Sequence, residues 1–240
     1  MFQNTKKLLV LLAPPILIGL LRKLKPQKQP ADSSVQSPAS NTYWTALENL
    51  LDNWGGTHAW NEIQLLLYDK RGKVLDIACG TGATMQRMSK YPELEITGVD
   101  INEQLIRSAT AKGLDPNRLF VADARDLGRF SAQQFKYSYS IGVLYYFDDE
   151  SLEKAISEIC RVTSEASFHF ILTSSSDLDE GEIMTWQRFT NNSAAWWRTK
   201  MLRTFSRVTV IESGWQDTQY KRSKGTWMIC AKDSGAFAGG

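Results

Sequence analysis

The densest chemistry in the chain lies in Asp76-Ile77-Ala78-Cys79-Gly80-Thr81-Gly82. Val74-Leu75-Asp76-Ile77 reads as a short buried strand, entered through Arg71-Gly72-Lys73. Gly80-Thr81-Gly82 then turns the chain into a helix over residues 83–90. Glycines in such a turn let a ligand approach the backbone, and the N–H groups at the helix start are free to bind it. A P-loop would need Gly-Lys-Ser/Thr after the turn, but Ala83-Thr84 stands there. A dinucleotide fingerprint would need Gly or Ala where Met85 stands. Asp76, at the carboxyl end of its strand, would repel phosphate and suits a ligand carrying positive charge.

A second carboxylate ends the next apolar run, Glu95-Ile96-Thr97-Gly98-Val99-Asp100, 24 residues after Asp76. That spacing fits an acid accepting from ribose hydroxyls, and it fits equally a helix start before Glu103-Gln104. A strand, glycine turn, helix and second strand ending in an acid form half of a dinucleotide-type βαβ unit. The whole motif resembles the first motif of the class I S-adenosylmethionine-dependent methyltransferases, whose cofactor carries an ammonium and a sulfonium. Ala78 departs from the pattern, where the family usually has glycine.

The resemblance covers residues 74–232 and implies a Rossmann-like α/β fold. That fold has a seven-stranded, mostly parallel sheet ending in an antiparallel hairpin, with helices on both faces. It also implies the cofactor site. Asp76, Ala78, Cys79, Gly80 and Gly82 would hold the methionine end, Asp100 the ribose, and Ile101 one adenine face. Asp123 with Ala124 would reach the adenine amino group, with Asp126 as the alternative acid. Gly142 would let the loop after the fourth strand approach the methionine. Family members commonly carry an acid near the start of that strand, and Gln134-Phe135-Lys136-Tyr137-Ser138 has none. Tyr145 and Tyr146 stand where the family often places aromatics facing the acceptor; packing under the following helix is the other reading.

Outside this core, residues 43–68 carry aromatics and leucines at helical spacing, broken by Gly55-Gly56, and read as a helical cap. His58 follows that glycine pair and carries the side chain best suited to base chemistry near neutral pH. It is a catalytic candidate together with Tyr145. His169, mid-strand, reads as a hydrogen-bonded core histidine. Residues 184–197 gather Trp186, Asn192 and Trp196 where a substrate-side insertion would lie. Aromatics beside amides suit a sugar, plain packing, or a membrane interface.

The net charge of +2 is unevenly spread. Residues 1–31 hold six basic groups and no acid, leaving 22 basic against 26 acidic on the rest, which gives no reason to expect nucleic acid. Residues 8–21 are uncharged. As a straight helix they would reach about 21 Å, short of a hydrocarbon core of roughly 30 Å. Pro14-Pro15 breaks the run. Residues 1–25 therefore read as an arm that dips into or lies on a membrane, with a signal peptide and a span as the weaker readings. Residues 26–42 read as a flexible linker, 69–233 as the catalytic domain and 234–240 as a tail. Three scattered cysteines offer no disulfide framework and no metal spacing, in keeping with a reducing, cytoplasmic face of a membrane.

The reading is a methyltransferase acting on a membrane-proximal acceptor. Enzymes of this family that methylate surface glycans are similar in having such arms, which points to a glycan or glycolipid. A small metabolite, a quinone-like lipid and a non-catalytic cofactor-binding scaffold stand beside it.

Overall fold

The computed structural model describes residues 44–45, 48, 51–52, 56–184 and 188–232. The arm 1–25, the linker 26–42, the tail 234–240 and Trp186 lie outside the described residues.

Seven strands form one sheet in the order β3-β2-β1-β4-β5-β9-β8. Strand β1 (Gly72–Ile77) pairs in parallel with β2 (Leu94–Asp100) on one side and β4 (Phe135–Ile141) on the other. Strand β3 (Leu119–Val121) continues the parallel set beyond β2, and β5 (Thr163–Ser174) beyond β4. Strand β9 (Ser223–Ala231) runs antiparallel to both β5 and β8 (Arg207–Gln216), as the expected terminal hairpin requires. The order reverses between β1 and β4. Successive connections leave in opposite directions there, and a crevice opens at the carboxyl ends of the strands.

Helices follow from where apolar side chains recur. Helix α1 (Gly56–Leu67) buries Ala59, Trp60, Ile63 and Leu67 along one side. Its Glu62 accepts from Ser213 Oγ, the Gly214 N–H and Trp227 Nε1, at 2.6, 2.8 and 2.8 Å, and so fastens the helix to β8 and β9. Helix α2 (Ala83–Met88) and helix α3 (Glu103–Ala111) pack on β2, and α3 also on β3. Asn102 caps α3 by accepting from the N–H groups of Gln104 and Leu105. Helix α4 (Asp149–Val162) starts on Asp148, which accepts from the Ser151 N–H, and lies on β5. Between β5 and β8 come a small hairpin, β6 (Glu182–Met184) with β7 (Arg188–Thr190), and helix α5 (Ala194–Leu202). This is the expected insertion, and Trp197 from it is fully buried.

The β4 sequence Tyr137-Ser138-Tyr139-Ser140 alternates two kinds of side chain across the sheet. The serines meet their β5 partners in register, Ser138 opposite Ser167 and Ser140 opposite His169. Ser140 Oγ lies 2.8 Å from His169 Nδ1, Ser167 Oγ 2.7 Å from His169 Nε2, and Ser138 Oγ within 2.7 Å of both Ser167 and Thr163. Five buried polar groups thus satisfy one another, and His169 is the hydrogen-bonded core histidine that its position in the sequence predicts.

Candidate active site

The turn after β1 is built from three left-handed residues, Ala78 (φ 58°), Gly80 (φ 56°) and Gly82 (φ 75°). Ala78 holds a conformation costing an alanine roughly 1–2 kcal/mol, which explains why glycine is usual there. Gly82 is required for space as well: a Cβ on it would lie 2.1 Å from Leu114 Cδ1. Cys79 turns its thiol inward, and with Met85 it fills the space over Gly98, so its contribution to a ligand is its backbone.

Two acids flank this turn. Asp100 is buried at the end of β2. Its Oδ2 accepts from the Gly80 N–H at 2.9 Å and its Oδ1 from the Asn102 N–H at 2.8 Å. Burial raises its pKa. The carboxylate thus ties the glycine turn to the second strand while each oxygen keeps a further lone pair. The helix cap is Asn102, two residues later, so Asp100 does not cap α3 itself. Asp76 is 3% exposed and accepts from Tyr139 Oη at 2.8 Å. Burial, with the nearby charge of Asp100 adding to it, pushes its pKa up to about 8. A buried acid so perturbed in a crevice is a candidate binding group.

A cap lies over the turn. Residues 44–45, 48 and 51–52 are helical, and among them Thr45 accepts from Asn102 Nδ2 at 3.2 Å. Glu48 accepts from Ser108 Oγ. Asp52 accepts from Thr81 Oγ1 at 2.6 Å and from Lys112 Nζ at 2.7 Å. The Lys112 and Thr81 bonds outweigh the effect of burial and lower the pKa of Asp52. Leu51 sits over Gly80.

Further along the crevice, Asp123 is gripped by Arg125, whose Nε and Nη2 donate to it at 3.0 and 2.6 Å. Those bonds outweigh burial and keep the acid ionised. Ala124 is buried beside it, and Ile101 is 53% exposed. Asp126 folds back on the Gly128 N–H. Gly142 (φ 76°) makes the turn after β4 and donates its N–H to the Phe170 carbonyl. The next turn, Leu144–Tyr146, buries both tyrosines. Tyr145 packs edge-on against Phe189 with centroids 5.6 Å apart, and Tyr146 against Trp44 at 5.5 Å. Insertion, strand-four loop and cap therefore meet in one aromatic cluster.

Other candidates lie apart from that cluster. His58 is exposed and packs against Gly214 of β8, where an added Cβ would lie 2.8 Å from its Nδ1. Asn192 Oδ1 accepts from the Gly181 N–H at 2.7 Å and braces the loop before β6. Trp196 is half-buried beside Trp197, with Lys200 Nζ 5.2 Å from a Trp196 ring centroid. Sequence reasoning missed Tyr139, Thr81, Asp52 and Lys112. The tyrosine–serine alternation of β4 was the one available signal for Tyr139.

Residues 74–166 match the family model described as a methyltransferase domain. Over those residues the chain carries a methyltransferase domain, and its fold is the class I, Rossmann-like one. No curated protein matches it. Among solved structures, an S-adenosylmethionine-dependent methyltransferase from Methanosarcina mazei is 18% identical, with a TM-score of 0.59, over 71% of this chain and 96% of its own. A putative methyltransferase from Haloferax volcanii, in complex with the Trm112 activator, is 13% identical at TM-score 0.62, over 82% and 99%. A Haemonchus contortus phosphoethanolamine N-methyltransferase, bound to phosphomonomethylethanolamine and S-adenosylhomocysteine, is 14% identical at TM-score 0.60, over 81% and 60%. These likenesses carry the fold. The cofactor of the methyltransferase domain is S-adenosylmethionine. The donor set fits it: a buried acid poised for a cation, an acid at the end of β2, and a glycine turn between them.

Proposed function

We propose that Asp76 holds the cofactor's ammonium, Asp100 the ribose, and Asp123 with Ala124 and Ile101 the adenine end. Ala78, Cys79, Gly80, Gly82 and Gly142 contribute backbone. The observation that carries this is the pair of buried acids, Asp76 and Asp100, on either side of a left-handed glycine turn. The cofactor supplies an electrophilic methyl group. What this chain contributes is alignment, since holding a nucleophile and a methyl in line accounts for much of such a rate. Tyr145 and Tyr146 form the acceptor wall with Phe189 and Trp44, and Tyr145 is the candidate for orienting the acceptor. His58 would act as base only if the acceptor reaches the β8 side.

The acceptor proposed is membrane-proximal, met at the cytoplasmic face by way of the arm 1–25, with a glycan or glycolipid as one class. Among the described residues no helix is long and apolar enough to cross a membrane, and the arm lies outside them. One observation favours a second class, a quinone-like lipid. The amides expected to greet a sugar are engaged internally: Asn192 with Gly181, and Asn191 with Glu180, Arg222 and Ser223. The remaining wall is aromatic, which suits an apolar ring.

The test is methyl transfer from radiolabelled S-adenosylmethionine by the full chain mixed with membranes, followed by fractionation. Label in glycolipid supports the first class and label in a neutral ring-bearing lipid the second. Label only in water-soluble metabolites refutes a membrane acceptor. Cofactor binding with no labelled product from membranes or cytosol leaves the scaffold reading standing.

A further inference from the structure

A second concavity opens at the other end of the sheet from the crevice. Gly98 faces α2, so alternation turns Glu95 and Thr97 of β2 to the opposite face. Lys73 lies opposite Glu95 and Phe120 opposite Val99 in the parallel register, which puts them on that same face. Residues 122–134, which join β3 to β4, form no helix to cover it. What is left is a cavity of about 360 Å³ near the amino ends of β1, β2 and β4, with Arg118 and Arg129 on its walls. That volume is in the range of small-molecule sites.

The charges in it are uneven. Three cations, Lys73, Arg118 and Arg129, face one acid, Glu95. Among the described residues, Lys73 and Arg129 form no ion pair. Arg118 has one contact at 3.8 Å, to the exposed Asp115. The Arg129 Cζ lies over the Phe120 ring, 3.8 Å from its centroid, and 5.6 Å from that of Phe130. Stacking on an aromatic face fixes the plane of a guanidinium while leaving its N–H edge free for a bidentate anion. Thr97 and Asn117 add a hydroxyl and an amide to the same walls.

We infer that this concavity is a second ligand site, for a small phosphorylated molecule of about nucleoside monophosphate size. Arg129 is the phosphate fork, with Lys73 and Arg118 neutralising the remaining charge. The cavity is larger than inorganic phosphate needs, and the hydroxyl and amide offer partners to a sugar. The site is separate from the cofactor crevice, since Lys73 stands at the start of β1, next to Gly72, while Asp76 stands near its other end.

The experiment uses the full chain saturated with S-adenosylhomocysteine, which keeps nucleotides out of the crevice. Calorimetry is run with uridine monophosphate, ribose 5-phosphate and uridine. Saturable binding of both phosphates and none of uridine is expected. Arg129→Gln should weaken binding roughly tenfold, as loss of a bidentate anion contact implies, while Glu95→Gln should tighten it a few-fold. Both side chains are exposed, so neither change threatens the fold, and circular dichroism checks this. Binding of uridine as tight as its phosphate, no saturable binding of either phosphate, or affinity unchanged in Arg129→Gln would each overturn the assignment.

Discussion

Asp76 and Tyr139 stand opposite each other in the β1–β4 register and share a 2.8 Å hydrogen bond at the point where the strand order reverses. The bond gives a buried acid a partner before any ligand arrives. It also sets how cofactor binding depends on pH.

With its pKa near 8, Asp76 is protonated at pH 7 when no cation is beside it. Pairing with an ammonium requires the carboxylate, so binding expels a proton. Affinity for S-adenosylmethionine should therefore rise as pH climbs towards 8 and fall again above it, where the cofactor's own amino group loses its proton. Calorimetry at pH 7 in buffers of different ionisation enthalpy should detect the released proton. Asp76→Asn should weaken binding and flatten the pH profile. The same shift works against the free protein: because the folded pKa is raised, this contribution to stability is full below pH 4 and is lost as pH rises through about 8.

Tyr139→Phe removes the hydroxyl and leaves Asp76 without that donor. Stability should fall by roughly 1–3 kcal/mol, the cost of stranding a buried polar group. Cofactor affinity should fall with it. Urea melts and calorimetry on the same variant measure the two effects.

The cap closes over Gly80 and Thr81 through Asp52 and Lys112. The partners are about one-third exposed, so the ion pair contributes no more than roughly 1 kcal/mol and is screened by salt. Lys112→Met should speed cofactor release about fivefold, as that energy implies, with little change in unfolding midpoint. Stopped-flow fluorescence, using Trp44 beside Tyr146 as reporter, follows it. High salt should speed release from the parent protein and leave Lys112→Met almost unaffected.

His169 is buried as a neutral imidazole, with its pKa pushed down to about 3 by burial. The unfolded chain takes up a proton near pH 6.5 that the folded chain refuses. This contribution to stability is therefore intact above pH 6.5 and is lost as pH falls towards 3, by about 1.4 kcal/mol per unit. His169→Leu would strand the Ser140 hydroxyl, while Ser167 keeps Ser138, and should cost roughly 1–3 kcal/mol while removing this histidine's share of the slope below pH 6.5. Chemical denaturation from pH 4 to 8 tests both.

Strands β1, β2 and β3 were legible because each is a short, largely apolar run ending at a turn or an acid. Asp76 and Asp100 announced themselves by standing at the ends of such runs. Tyr139 did not: its role depends on the pairing of β4 with β1 across 63 residues, which no local pattern encodes. Thr81 and Lys112 were hidden for the same reason, since each finds Asp52 only after the cap folds back. Asn192 misled in the opposite sense. An amide among tryptophans suggests a sugar, yet its oxygen is taken by the Gly181 N–H.

The chain of hydroxyls and imidazole between β4 and β5 also acts on the pairing itself. Sliding β4 by one residue would turn Tyr137 and Tyr139 to the face where Ser167 and His169 wait and bring a serine opposite Asp76. Asp76 would then lose the Tyr139 hydroxyl, and the β4 serines would lose Thr163, Ser167 and His169. Two parallel strands joined only through a helix have no tight turn to fix their alignment. Here the buried polar side chains serve as the gauge, so misaligned pairings are rejected while the sheet assembles.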